Sequence, residues 1–252
     1  MSLFGELKTE GLEESTDRLG GFAPLETDVY TGPIKVAYAG TAASGARNVT
    51  IIVDHNGKEY RETIYVTNKA GENFFLNKDD KTKKVALPGF TIVDEICLAT
   101  TGLSLSEQES EEKVVKIWDS EAKKELPKSV PVLTGLTGKV VSLGIVKTLE
   151  NKSTKVGDKY EASAETREIN SIDKVFNTET RLTVTEARNG VETAAFWDAW
   201  SKRNKGVTRD KRSIKDGVGG VAGRPGKGAP SGPPQASGAA PARKSLFGAK
   251  AS

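Results

Sequence analysis

Residues 58–84 hold the side chains best suited to chemistry in this 252-residue chain. Tyr60, Tyr65, Phe74 and Phe75 alternate with seven cations, Lys58, Arg61, Lys69, Lys78, Lys81, Lys83 and Lys84, on what reads as two strands joined by a turn containing Asn and Gly. Every base has a face that can stack on a ring, and every linkage carries a charge that a cation can neutralise. A flexible nucleic-acid strand needs that combination. Five acids, Glu59, Glu62, Glu72, Asp79 and Asp80, leave a second reading open, a solvated basic hairpin with buried aromatics.

Residues for other chemistries are sparse. His55 is the only histidine and adjoins a turn signal, so no Ser-His-Asp or Cys-His arrangement is in view. Cys97, the single cysteine, lies in the apolar run 92–98 and reads as a small core residue in a reducing compartment. No His/Cys cluster has metal-ligand spacing. The glycines at 40 and 45 lack the Gly-Lys-Ser/Thr ending of a phosphate loop. The pairs Asp79-Asp80 and Glu111-Glu112 read as solvated surface. The expectation is a binding protein, not an enzyme, with no cofactor and no metal. With no apolar run of spanning length and no signal sequence, a soluble cytoplasmic protein is expected.

The elements that must position the site are mostly short strands. Residues 34–39 read as a first strand. Residues 49–53 and 60–66 flank Asn56-Gly57, the preferred two-residue hairpin turn. Pairing across it sets Val53 opposite Tyr60 and Val49 opposite Ile64 on an apolar face, and sends Arg61, Thr63 and Tyr65 to the other. Phe74 and Phe75 are adjacent, so one stacks and the other is core. Residues 90–99 have helical spacing and stop near Gly102. Further strands are expected over 114–118, 130–133, 138–146, 160–167 and 181–185, with a polar turn over 123–128 and a loop over 151–158. Residues 192–205 form a helix whose Phe196, Trp197 and Trp200 read as a packing face.

Charge is divided unevenly. Residues 201–252 carry twelve Lys/Arg against Asp210 and Asp216, a balance of +10, which leaves residues 1–200 at −7. From Gly217 onward 22 of 36 residues are Gly, Ala or Pro, too little apolar surface to offset chain entropy. The organisation expected is a flexible arm over 1–21, one domain over 22–210, and a disordered basic tail over 211–252. Ser2-Leu-Phe-Gly5 recurs as Ser245-Leu-Phe-Gly248. In the second copy Arg243, Lys244, Leu246, Phe247 and Lys250 are the candidate contacts to a partner.

Several blocks resemble single-stranded DNA-binding proteins of tailed bacteriophages. They are Gly32-Pro-Ile-Lys-Val-Ala-Tyr-Ala-Gly40, Tyr65-Val-Thr-Asn-Lys-Ala-Gly71 and Leu87-Pro-Gly-Phe-Thr-Ile-Val-Asp-Glu-Ile-Cys-Leu98. Residues 129–133, 172–176 and 196–206 add to the likeness, which covers roughly residues 30–210. The resemblance implies an OB-type β-barrel that coats unwound DNA during replication and recombination in the cytoplasm of an infected bacterial host. It also implies contact with phage replication or recombination proteins, and with RNA polymerase in some members. The chain departs from the acidic tip common among such proteins, so partner rules based on that tip do not transfer. The fold class expected is mainly β with accessory helices, an OB-like partly open β-barrel plus a disordered basic C-terminal tail. The expected DNA-binding residues are Arg61, Tyr65, Lys69, Phe74, Phe75, Lys78, Lys83 and Lys84. Two alternatives remain, a phage transcription cofactor acting on RNA polymerase through its tail and a virion protein with a flexible arm.

Overall fold

The computed structural model describes residues 24–119, 121–157 and 159–213. The expected arm, most of the expected tail and both Ser-Leu-Phe-Gly copies, with Arg243, Lys244, Leu246, Phe247 and Lys250, lie outside the described residues.

The first strand sets the architecture. β1 (Asp28–Thr41) pairs antiparallel along its first half with β8 (Val140–Val156) and along its second half with β2 (Arg47–His55). The exchange occurs at Gly32-Pro33, just before the register shifts between Ile34 and Val36. A Cβ added to Gly32 would sit 1.7 Å from the Asp54 carbonyl oxygen. Only a residue without a side chain permits that approach. β2 turns into β3 (Lys58–Tyr65) through Asn56 and Gly57, both at positive φ (52° and 80°). The ladder sets Val53 opposite Tyr60 and Val49 opposite Ile64, the register read from the sequence.

β8 pairs on its other edge with β9 (Lys159–Phe176), and β10 (Thr208–Asp210) adds a short parallel strand beyond β1. β6 (Ser110–Asp119) and β7 (Lys124–Leu133) form a hairpin joined to β1 at Tyr38 and Val132. β4 (Phe74–Leu76) and β5 (Lys84–Ala86) form a separate two-stranded sheet. The fold is mainly β, built on one large, almost wholly antiparallel sheet that is not closed: among the described residues no ladder joins β3 to β9. α1 (Pro88–Thr101) packs against β3, β8 and β9. Val93, Ile96 and Cys97 on α1 enter the main core with Ile34, Ile51, Val141, Leu143 and Val175. Burial pushes the Cys97 thiol up to about 12, with Asp94 adding to the shift, so it stays protonated as a core group.

One polar contact crosses the open seam. Glu62 sits on the core face of β3. Its Oε2 accepts the Tyr60 hydroxyl at 2.7 Å and the backbone N–H of Ile172, on β9, at 2.9 Å. Burial raises the Glu62 carboxyl above its ordinary range, against the pull of those two hydrogen bonds. The Tyr60 hydroxyl is driven far up by burial and by Glu62.

Several local expectations change. The expected loop over 151–158 is instead the outer end of the β8–β9 hairpin. Its strands are polar because they project with both faces in water, and ion pairs such as Lys152–Glu165 and Arg167–Glu150 flank the ladder. The expected turn over 123–128 is mostly the start of β7, where Leu126 is half-buried among exposed Lys124, Glu125, Pro127 and Lys128 and leaves no apolar alternation to read. The expected strand over 181–185 gives way to α2 (Val184–Arg188), whose Thr183 hydroxyl accepts the Glu186 N–H while the Glu186 carboxylate accepts the Thr183 N–H. This capping box outweighs the β preference of Thr and Val. α3 (Ala195–Asn204) forms inside its expected span and packs Trp200 (4% exposed) and Trp197 around Phe176. Half of the +10 assigned to the C-terminal stretch therefore lies on α3, β10 and their flanks. There Lys205 pairs with Asp28 and Arg209 with Asp173.

Candidate nucleic-acid interface

The three-stranded part β1–β2–β3 has two faces. One carries Ala37, Val49, Ile51 and Ile64 into the core. The other presents cross-strand rows, Val36–Ile52–Arg61, then Tyr38–Thr50–Thr63, then Gly40–Asn48–Tyr65. The Thr50 and Thr63 hydroxyls meet at 2.8 Å within the middle row. Arg61 and Tyr65 lie on this outer face, four residues or about 13 Å apart along β3.

The outer face is partly roofed. Ile52 and Thr50 are each 4% exposed and Tyr38 is 8%, although none points into the main core. The β6–β7 hairpin reaches this face at two points. Near one end its Val132 pairs with Tyr38 on β1, and near the other its Glu125 reaches Arg61 on β3 at 3.5 Å. These two anchors carry the hairpin obliquely across the sheet. Half-buried Val115, Ile117, Leu126 and Val130 share the face of the hairpin opposite its exposed one.

The exposed face of that hairpin holds the residue that sequence reasoning missed. Trp118 is 57% exposed and directly opposite Glu125, the partner of Arg61. Val114 and Lys116, both exposed, continue the same face. In the sequence Val114 through Trp118 is apolar on both sides of a strand, so alternation could not say which side was wet. An indole left largely in water, directly opposite the acid that pairs with Arg61, is the available signal. Tyr65 is 52% exposed at the end of β3. Tyr160 is 74% exposed near the tip of the β8–β9 hairpin, remote in sequence from both.

The remaining predicted residues are divided between two places. Lys69 lies in the turn after β3, exposed, with its carbonyl close to Gly45 of the β1–β2 loop. That turn is held by Asn68, whose Oδ1 accepts the N–H groups of Ala70 and Glu72. The turn does not fold β4 back onto β3, which corrects the reading of residues 58–84 as one two-stranded unit. Phe74 and Phe75 instead belong to the β4–β5 sheet. Phe75 is 46% exposed on one side. Phe74 is half-buried on the other with the Lys84 ammonium 4.2 Å from its ring centroid. Neither joins the main core, so the expectation that one of the pair is core becomes a ring shielded by a cation. Lys78 is exposed in the β4–β5 connection. Lys83 pairs with Asp80 at 3.3 Å. Asp80 accepts the Thr82 hydroxyl and N–H, which holds its carboxyl below the ordinary range, so this turn carries less free positive charge than its lysines imply.

Among the described residues no group of three or more His, Cys, Asp and Glu could hold a metal ion, and no helix is long and apolar enough to cross a membrane. No protein-family model, curated protein or solved structure matches this chain.

Proposed function

We propose that the protein binds single-stranded DNA without regard to sequence and coats unwound DNA during phage replication and recombination in the bacterial cytoplasm. The observation that carries this reading is the placement of two exposed rings, Tyr65 and Trp118, on elements that converge on Arg61. Bases stack on the rings. Arg61, Lys69 and Lys116 meet phosphates, and none of these contacts selects a base. Arg61 exchanges Glu125 for phosphate at little cost, because an ion pair at 3.5 Å with both partners about a third or more exposed contributes only about 0–1 kcal/mol.

The chain connectivity supports the finer reading of an OB-type partly open barrel. A β1–β2–β3 meander, a helix, and a β8–β9 pair that returns to β1 follow one another, and Glu62 bridges the unpaired seam. The sequence blocks at 32–40, 65–71 and 87–98 support the family. They fall on β1, on the exposed end of β3 with its following turn, and on α1.

The test is equilibrium binding to labelled oligo-dT, the matching duplex and oligo-U over a range of salt. Single strands bind, with log affinity falling linearly in log salt at about 0.7 per phosphate contact, and the duplex binds far more weakly because its bases are already stacked. Equal affinity for duplex and single strand, or binding indifferent to salt, overturns the proposal.

A further inference from the structure

A second cationic surface lies away from the Arg61 region, where α3 and β10 meet β9. It is a cavity of about 500 Å³, within the range of pockets that hold ligands, about 300–1,000 Å³. Its lining includes Lys174, Phe196, Trp200, Arg203, Val207 and Arg209. Phe196 and Val207 are large apolar groups left 40% and 49% exposed there, and the Lys174 ammonium lies 5.6 Å from the Phe196 ring centroid. Asp173 is the one carboxylate of the lining. It accepts hydrogen bonds from Arg209 at 2.7 Å and from the Trp200 indole N–H at 2.7 Å, and with Lys174, Arg203 and Arg209 set against this one acid the lining is net positive. The site has the chemistry to take a peptide that is both acidic and apolar.

The described chain begins beside this pocket. Leu25 exchanges two hydrogen bonds with the Asn170 side chain on β9, at 2.7 and 2.8 Å. The Thr27 hydroxyl donates to the carbonyl of Val207 at 2.6 Å, and Gly206 donates to the Thr27 carbonyl at 2.7 Å. Residues 24–27 are thus fixed against a pocket residue. The segment preceding them reads Leu12-Glu-Glu-Ser-Thr-Asp-Arg-Leu-Gly-Gly-Phe22, with Glu13, Glu14 and Asp17 against Arg18 and with Leu19 and Phe22 as apolar groups. Its composition complements the pocket in both sign and polarity. Ten residues reach about 35 Å when extended, so the tether keeps the segment at high local concentration.

We propose that residues 12–22 of this chain dock in cis on the α3–β9 pocket, acids against Lys174 and Arg203 and a Leu or Phe side chain against Phe196 and Val207. The inference stands apart from the DNA-binding reading and uses none of its residues. Its consequence is that the arm neutralises one basic surface and directs nucleic acid to the other.

Photo-crosslinking in the full chain tests it, with Leu19→p-benzoylphenylalanine as the probe and mixed heavy and light isotopic protein to separate contacts within a chain from those between chains. Proximity alone could yield some product, so charge reversal is the deciding arm. Cross-links should fall within residues 173–174 and 196–209 of the same chain. They should drop about tenfold in K174E/R203E and recover to within about twofold when E13K/E14K/D17K is added, a coupling that only facing charges produce. E13Q/E14Q/D17N leaves the body untouched and should reproduce the loss should K174E/R203E fail to fold. Cross-links insensitive to all these changes, spread over the surface, or found only between chains overturn the proposal. So does protection of Arg203 by oligo-dT with no effect of charge reversal, which would make the pocket a nucleic-acid site.

Discussion

Replacing Trp118 by alanine separates folding from binding. Complete burial of a large apolar side chain contributes about 1.5–3 kcal/mol, and Trp118 keeps 57% of its surface in water, so the substitution costs about 1 kcal/mol of stability. Base stacking on an aromatic contributes about 1–3 kcal/mol, so affinity for oligo-dT should fall roughly 5- to 150-fold. Urea unfolding measures the first quantity and fluorescence anisotropy of a labelled oligonucleotide the second. Tyr65→Ala should behave alike, since 52% of that side chain is exposed. Salt titration distinguishes the ring from the charge. Trp118→Ala lowers affinity by the same factor at every salt concentration, whereas Arg61→Ala flattens the salt dependence by about 0.7 in log–log slope. A folded Trp118→Ala protein that binds within about twofold of the parent would refute the stacking role assigned from exposure.

Two carboxylates give opposite pH signatures. Burial raises Glu62, so the folded protein holds its proton more tightly than the unfolded chain, and ionisation removes stability as pH rises from about 4.3 through the raised value. Urea titrations should show the parent losing ground to E62Q across that window and a constant gap above it; a gap that widens in the parent's favour contradicts the seam geometry. At Asp173 burial also acts upward, but hydrogen bonds from Arg209 and Trp200 and the Arg209 charge outweigh it and leave the carboxyl below its ordinary range. Its contribution is complete above about 3.9 and is lost as pH falls through the depressed value, so the parent's advantage over D173N should close in acid. A constant advantage down to the lowest pH at which both remain folded would show that the Arg209 and Trp200 contacts do not hold α3 and β10 in place.

Residues 49–65 were legible because each step had a local cause. Asn56-Gly57 supplies two positive φ values, and Val49, Ile51, Val53, Tyr60 and Ile64 alternate with groups on the other face. The first helix was legible from its spacing over 90–99 and its stop at Gly102, at φ 75°, although it begins two residues earlier, at Pro88. The β8–β9 extension was not, since a strand wet on both faces has no apolar rhythm and is held by ladder hydrogen bonds that the sequence does not display, and the start of β7 was not, since Leu126 is half-buried there among exposed neighbours.

The sequence by itself determined the β-rich class, the hairpin register, the burial of Tyr60 and Cys97, and the packing role of Trp200, because each follows from the chain's nearest neighbours. Only the tertiary structure decided which outer-face residues stay wet. The β6–β7 hairpin, sixty residues or more from its target, sets Val132 beside Tyr38, draws Glu125 to Arg61 and leaves Trp118 in water. The pairing of β9 with β8 likewise brought the N–H of Ile172 across the seam onto Glu62, by position an acid of the basic stretch. Contacts between segments so far apart depend on how whole elements stack, and no local pattern of residue types encodes that.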